Sequence, residues 1–148
     1  MEIKIVENNK KEFLDLLLLA DEEENMIDKY LDRGEMFVLY DKSLVSICVV
    51  TKENNGTYEL KALATYPQCR KKGYGRYLID FITDYYKEKG ANSIIVGTGS
   101  GTTTVSFYEK CGFKESHILK NFFIDNYPNP IFENEIQLMD MIYLKKIL

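Results

Sequence analysis

The apolar residues of this chain fall into two periods, and the period changes several times along it. Ile3–Val6 alternates and predicts a short first strand. Glu12–Ala20 is rich in Leu and predicts a helix, with a second short helix at Met26–Leu31. The acidic run Asp21–Glu24 joins the two, and Gly34 ends the helical region. Met36–Tyr40 and Leu44–Val50 are β-branched or aromatic runs around the turn cluster Asp41-Lys42-Ser43, which is a hairpin pattern. Asn54-Asn55-Gly56 marks a second tight turn, because Asn and Gly accept positive φ. Thr57–Thr65 then completes an antiparallel meander of three strands.

Pro67 closes that strand. Gly73–Lys89 sets Tyr74, Tyr77, Leu78, Phe81, Ile82 and Tyr85 on one face at helical spacing, and Gly90 stops the helix. Ser93–Val96 is a short apolar strand, so strand, helix and strand make a βαβ unit with parallel neighbours. Thr103–Cys111 predicts a helix ended by Gly112, and Phe113–Leu119 a further strand. Asn121–Gln137 carries Pro128 and Pro130, but Phe122, Phe123, Tyr127, Ile131 and Phe132 are too apolar for disorder, so it reads as an ordered insertion. Met139–Lys145 alternates and is the last strand. The expected order is β-αα-βββ-α-β-α-β-β, a mixed α/β fold forming one domain over residues 1–148.

Composition narrows the function. A chain of 148 residues can bury a core without staples, and 45% apolar with 28% charged residues is ordinary for a globular protein. The net charge of −4 argues against nucleic acid or an anionic membrane as partner. There is one histidine, His117, and three cysteines, Cys48, Cys69 and Cys111. No paired Cys/His metal site can be drawn, and any Ser-His or Cys-His nucleophile would rest on His117 alone. An odd cysteine count without a C-x-x-C pattern predicts reduced thiols and a cytoplasmic protein. The first residues lack the pattern of a signal peptide, and the longest apolar run, Leu16–Ala20, is far below the roughly 20 residues that span a bilayer.

The informative stretch is Leu63–Arg76, between a strand and the start of the clearest helix. A helix start offers free N–H groups and the positive end of the helix dipole to an anion. Gly73 and Gly75 let backbone approach an oxygen-rich group, and Arg70, Lys71, Lys72 and Arg76 add positive charge. With Lys61, the window Leu60–Ile79 holds five basic residues and no acid, which leaves −9 on the remaining 128 residues. A local cationic patch on an acidic chain points to a specific polyphosphate ligand; a solvated basic helix start is the plain alternative. No Gly-Lys-[Ser/Thr] follows the glycines, so this is not a Walker loop. A rival glycine run, Gly97–Gly101, could serve a nucleotide, but too little chain follows it to complete such a fold.

The chain resembles the GNAT (Gcn5-related N-acetyltransferase) family. Its acyl-CoA motif [Arg/Gln]-x-x-Gly-x-[Gly/Ala] stands here as Arg70-Lys71-Lys72-Gly73-Tyr74-Gly75. Leu63–Pro67 resembles the end of the family's fourth strand and its Pro-containing exit. The second signature, Tyr-Glu-Lys-x-Gly-Phe, stands as Tyr108–Phe113, about 35 residues after Gly73 with a strand between. The segments Phe122–Pro128 and Asp140–Tyr143 resemble a bacterial subgroup of unassigned substrate. The Asn that many members carry after the fifth strand is missing from Gly99–Thr104, where Ser100 or a Thr hydroxyl would substitute.

The resemblance implies an acetyl-CoA-dependent N-acetyltransferase that needs no metal and acts directly on a small-molecule or peptide amine, as monomer or homodimer. The other reading is an acyl-CoA-binding module with little catalysis. It implies that N–H groups of Lys71–Arg76 hold the CoA pyrophosphate. Main chain at Leu63, Ala64 and Thr65 would pair with the pantetheine arm, and an N–H near Leu63 or Ala64 would polarise the acetyl carbonyl. Tyr108 is the expected general acid and Glu59 the candidate base. His117, Cys69 and Cys111 are expected bystanders, so an acyl-cysteine route is the lesser one. The acidic run Asp21–Glu24 would attract a cationic amine or is a solvated helix junction, and the insertion's aromatics Phe122, Phe123, Tyr127 and Phe132 would cover the site, pack in the core or form a dimer surface.

Overall fold

A computed structural model describes residues 1–148. Strand β1 (Glu2–Val6) leads through a turn of 3₁₀ helix at Lys10–Phe13 into α1 (Leu14–Ala20) and α2 (Glu24–Asp28). The meander follows as β2 (Glu35–Asp41), β3 (Ser43–Asn54) and β4 (Thr57–Thr65). A 3₁₀ turn at Pro67–Cys69 precedes α3 (Tyr74–Glu88), then β5 (Ser93–Gly99), α4 (Thr103–Lys110) and β6 (Lys114–Leu119). Residues after β6 form α5 (Phe122–Asn126), two short strands β7 (Phe132–Glu133) and β8 (Ile136–Gln137), and finally β9 (Met141–Ile147).

Seven strands make one mixed sheet in the order β1-β2-β3-β4-β5-β9-β6, while β7 and β8 pair only with each other. β4 and β5 are the parallel neighbours expected of the βαβ unit, and every other pairing is antiparallel. Both faces of the central strands are buried, which explains their unbroken apolar runs. Phe37, Cys48, Val50 and Leu60 face α3, whose buried side is Leu78, Ile79, Ile82 and Tyr86. Met36, Val38, Ile47 and Val49 face α1 and α2, meeting Leu16, Leu17, Ile27 and Leu31. Lys10 caps that second layer: its ammonium donates to the carbonyls of Leu31 (2.9 Å) and Gly34 (2.6 Å) where the helical segment ends. No helix is long and apolar enough to cross a membrane.

Three expectations need correction. β5 runs three residues past Val96, so Gly97–Gly99 lie inside a strand paired with Tyr143, Ile142 and Met141 of β9 rather than in a loop. A Cβ on Gly97 would stand 2.5 Å from Met141 Sδ and one on Gly99 2.7 Å from Leu138 Cδ2, so these glycines make room for neighbouring side chains. The insertion is ordered as expected but adds a helix and a hairpin to the order of elements. The second helix starts at Glu24 and ends at Asp28, two residues earlier at its start than the apolar pattern indicated.

Candidate active site

The site begins with an extra residue in β4. Val49 of β3 pairs with Ala62 and the next residue, Val50, pairs with Leu60. Lys61 is therefore unmatched, a β-bulge that turns the strand. Leu60 packs in the α3 layer and Ala62 in the α1 layer although only one residue separates them. On its other side β4 pairs with β5 only from Thr57–Ser93 to Leu60–Val96. Beyond the bulge the two parallel strands separate, and the edge of Lys61–Thr65 that faces β5 has no strand partner. Leu63 borders the gap; the Ala64 carbonyl and Thr65 hydroxyl are both held by the Ser46 hydroxyl on the β3 side (2.8 and 2.9 Å).

The basic loop lies between the end of β4 and the start of α3. Lys71 and Gly73 both take left-handed backbone (φ 62° and 88°), and Gly73 caps the helix. Nothing lies within 4 Å of where a Gly73 Cβ would stand, so this glycine is required by its φ and leaves the helix start open. Gly75 has a different reason: its Cβ would be 3.3 Å from Phe107 Cζ, so its absence lets α3 close on α4. Arg70 folds back and its Nε donates to the Thr65 carbonyl (3.2 Å), whereas Lys71, Lys72 and Arg76 stay exposed. The Tyr74 hydroxyl donates to Asp41.

The gap between β4 and β5 opens into a cleft of about 330 Å³. Leu60–Leu63 and Val96–Gly99 form its floor, with Thr104 and Tyr108 of α4 beside them. Opposite stand the end of α1 with Asp21 and Glu22, and the 121–137 segment with Phe123, Tyr127, Phe132 and Glu133. Tyr108 is only 8% exposed. Its ring packs edge-on against Phe107 and Phe113, and no hydrogen bond acts on its hydroxyl. Burial, then the nearby Cys111 and Cys48 and the Glu133 carboxylate, hold that phenol protonated well above its usual range.

The carboxylates divide. Glu59, 7% exposed, is absent from the cleft lining. It accepts from Lys61 Nζ at 3.1 Å and from the Tyr143 hydroxyl at 3.2 Å. Lys61 does line the cleft, so Glu59 sits one side chain behind it. His117 stacks on Tyr143, centroids 4.8 Å apart and planes 6° from parallel, outside the cleft. Asp21 lines the cleft, and the Tyr127 hydroxyl donates to both its oxygens at 3.1 Å. Burial raises its pKa despite those bonds.

At the end of β5 the hydroxyls of Thr98, Thr104 and Thr102 form a chain of two 2.6 Å contacts, and Thr102 donates to the Gly99 carbonyl at 2.7 Å. Ser100 is held through its N–H to the Asp140 carbonyl (3.0 Å) and does not line the cleft; Thr98 and Thr104 do. Lys61, Thr98 and Glu133 are cleft residues that sequence reasoning did not single out as site residues. Burial raises the thiols of Cys48 and Cys111, which makes them poor nucleophiles.

Residues 32–115 match the acetyltransferase (GNAT) domain family model. The chain is 36% identical over 146 residues to the uncharacterized N-acetyltransferase YvbK of Bacillus subtilis (strain 168), covering 97% of this chain and 94% of that protein. Two solved structures superpose closely. One is a GNAT family acetyltransferase from Elizabethkingia anophelis with acetyl-CoA bound, with a TM-score of 0.93, 35% identity, and 99% and 97% of the two chains covered. The other is a Bacillus subtilis acetyltransferase in complex with CoA, with a TM-score of 0.91, 36% identity, and coverage of 99% and 98%. The family model, the sequence relative and the two superposed structures agree, and the chain belongs to the GNAT family of acetyltransferases.

Proposed function

We propose that the chain is a cytoplasmic acetyltransferase domain over residues 1–148 that moves an acetyl group from acetyl-CoA to a primary amine, with both substrates bound together. The donor brings its acyl group already activated as a thioester. The amine nitrogen attacks the carbonyl carbon, the C–S bond breaks, the nitrogen gives up a proton and the sulfur takes one. The observation that carries this reading is Tyr108, which lines the cleft with its hydroxyl free of any hydrogen-bond partner, at the gap where β4 leaves β5.

Backbone N–H groups of Lys71–Arg76, with the exposed cations Lys71, Lys72 and Arg76, hold the pyrophosphate. Arg70 braces the loop through Thr65. The free edge of Leu63–Thr65 pairs with the pantetheine arm as a further strand would, and an N–H near Leu63 or Ala64 polarises the carbonyl. Tyr108 donates the proton to sulfur; a phenol of pKa about 10 or above keeps its proton until a thiolate forms. Glu59 receives the amine's proton through a water, because Lys61 stands between it and the cleft. The unpaired cysteines support the location.

The test is thiol release from acetyl-CoA over polyamines, aminoglycosides, amino acids and basic peptides. Release that requires an amine, matched by N-acetylated product, supports the reading. Tight acetyl-CoA binding without turnover on any amine would leave a binding module instead.

A further inference from the structure

Lys61 is the one amine among the side chains that line the cleft. It is also the residue that the β4 bulge leaves unmatched, between the pairs Leu60–Val50 and Ala62–Val49. Its side chain is 22% exposed, and its ammonium has a single polar contact, Glu59 Oε2 at 3.1 Å. Glu59 is buried and absent from the cleft lining, so Lys61 Nζ occupies the way from that carboxylate into the cleft.

That is where a reacting nitrogen belongs. An acceptor amine needs a base on one side and the thioester carbonyl on the other. Lys61 already has the carboxylate. Leu63, whose main chain is assigned to the donor's arm, lies two residues further along the same strand. At a rise of about 3.3 Å per residue the two Cα atoms stand roughly 6.6 Å apart. Both residues line the cleft together with Tyr108. A lysine ammonium on its flexible four-carbon stem spans such a distance by turning its side chain, with no movement of the backbone.

Resting on the acetyltransferase reading, we propose that Lys61 is a modification site: the enzyme acetylates its own Lys61 Nζ from acetyl-CoA bound in the same cleft. The ammonium passes one proton to Glu59, and the neutral nitrogen attacks the carbonyl carbon. The C–N bond forms, the C–S bond breaks and the sulfur takes a proton from Tyr108. The nitrogen's second proton passes through solvent and restores the phenol. The products are acetyl-Lys61, the CoA thiol and one proton. The amide is neutral, so Glu59 keeps only the Tyr143 hydroxyl (3.2 Å). The charged side chains left in the cleft lining, Asp21, Glu22 and Glu133, are then all acidic.

The experiment incubates the full chain with acetyl-CoA and no added amine, followed by intact mass and peptide mapping. The expected result is a gain of one acetyl group at Lys61. It forms at least about tenfold faster than on Lys29 or Lys87, which are exposed and outside the cleft lining, because a positioned amine gains from proximity. The rate saturates with acetyl-CoA and does not change on dilution of the protein. Lys61→Arg keeps the charge and loses the fast site. Acetylation no faster at Lys61 than at the exposed lysines, or a rate that falls on dilution, overturns the proposal. If free amines are acetylated while Lys61 stays unmodified, the proposal fails and the acetyltransferase reading stands. Selective acetylation of Lys61 without turnover of any free amine sustains the proposal and overturns transfer to a separate acceptor.

Discussion

The hydroxyl of Tyr74, inside the basic loop, lies 2.5 Å from Oδ2 of Asp41 at the turn between β2 and β3. The carboxylate holds the phenol protonated, so the bond is a charge-assisted one from a neutral donor. It fixes the first turn of α3 to the rigid meander while Lys71 and Lys72 remain free. Tyr74→Phe should therefore raise KM for acetyl-CoA severalfold and leave kcat unchanged. Calorimetric titration with CoA checks the same point without turnover; an unchanged affinity would mean that the loop keeps its shape without this bond.

Tyr108→Phe separates catalysis from packing. The ring's contacts with Phe107 and Phe113 survive the change, and the lost hydroxyl had no partner. The melting temperature should stay within about 2 °C. The kcat should fall by about 10²-fold or more, the usual contribution of a general acid, with acetyl-CoA affinity little changed. Unchanged turnover would remove Tyr108 from the reaction.

Glu59→Gln tests the proton's route away from the amine. The substitution keeps the shape but removes the charge that Lys61 and Tyr143 face. If Glu59 takes the proton through water, kcat drops about 10²-fold. Unchanged turnover would assign the amine's proton to another group.

The sign of the Asp21 shift gives a stability test. Burial raises its folded-state pKa above 3.8, so the folded protein holds this proton more tightly than the unfolded chain. Stability is then lost as pH rises from the unfolded value through the raised one. Asp21→Asn removes that loss and should melt no lower than wild type at pH 7, while its advantage fades below pH about 4. A marked drop in melting temperature at pH 7 would mean that the carboxylate supports the fold instead.

Gly97→Val addresses the glycines of β5. The added side chain meets Met141 Sδ and Tyr143 Cζ, and the expected cost is about 1–3 kcal/mol from overpacking. Thermal or denaturant unfolding measures it; no loss of stability would show that β9 can move aside.

Local chemistry explains what the sequence disclosed. Arg70–Gly75 and Tyr108–Phe113 carry their meaning in side chains and φ values, and the spacing of Tyr74–Tyr85 draws a helix directly. Register is different. The Lys61 bulge is a relation between β3 and β4, and nothing in Glu59–Leu63 alone reveals that Leu60 and Ala62 face opposite layers. Gly97–Gly99 looks like a turn because the side chains that require its glycines, Met141, Tyr143 and Leu138, lie some 40 residues away. Glu133 and Tyr127 reach the cleft only because a hairpin and a short helix fold the insertion over it. Glu59 was legible as a strand carboxylate, but its separation from the cleft by Lys61 depends on that same bulge.

A matrix of initial velocities over acetyl-CoA and an amine that supports thiol release, read as free CoA thiol, tests whether one cleft holds donor and acceptor together. The prediction is thiol release that depends on the amine, with double-reciprocal lines that intersect. Parallel lines would indicate an acyl-cysteine intermediate, against the buried, protonated thiols of Cys48 and Cys111. No amine-dependent release with any polyamine, aminoglycoside, amino acid or basic peptide, in protein that binds acetyl-CoA, would contradict the assignment of catalysis to this cleft.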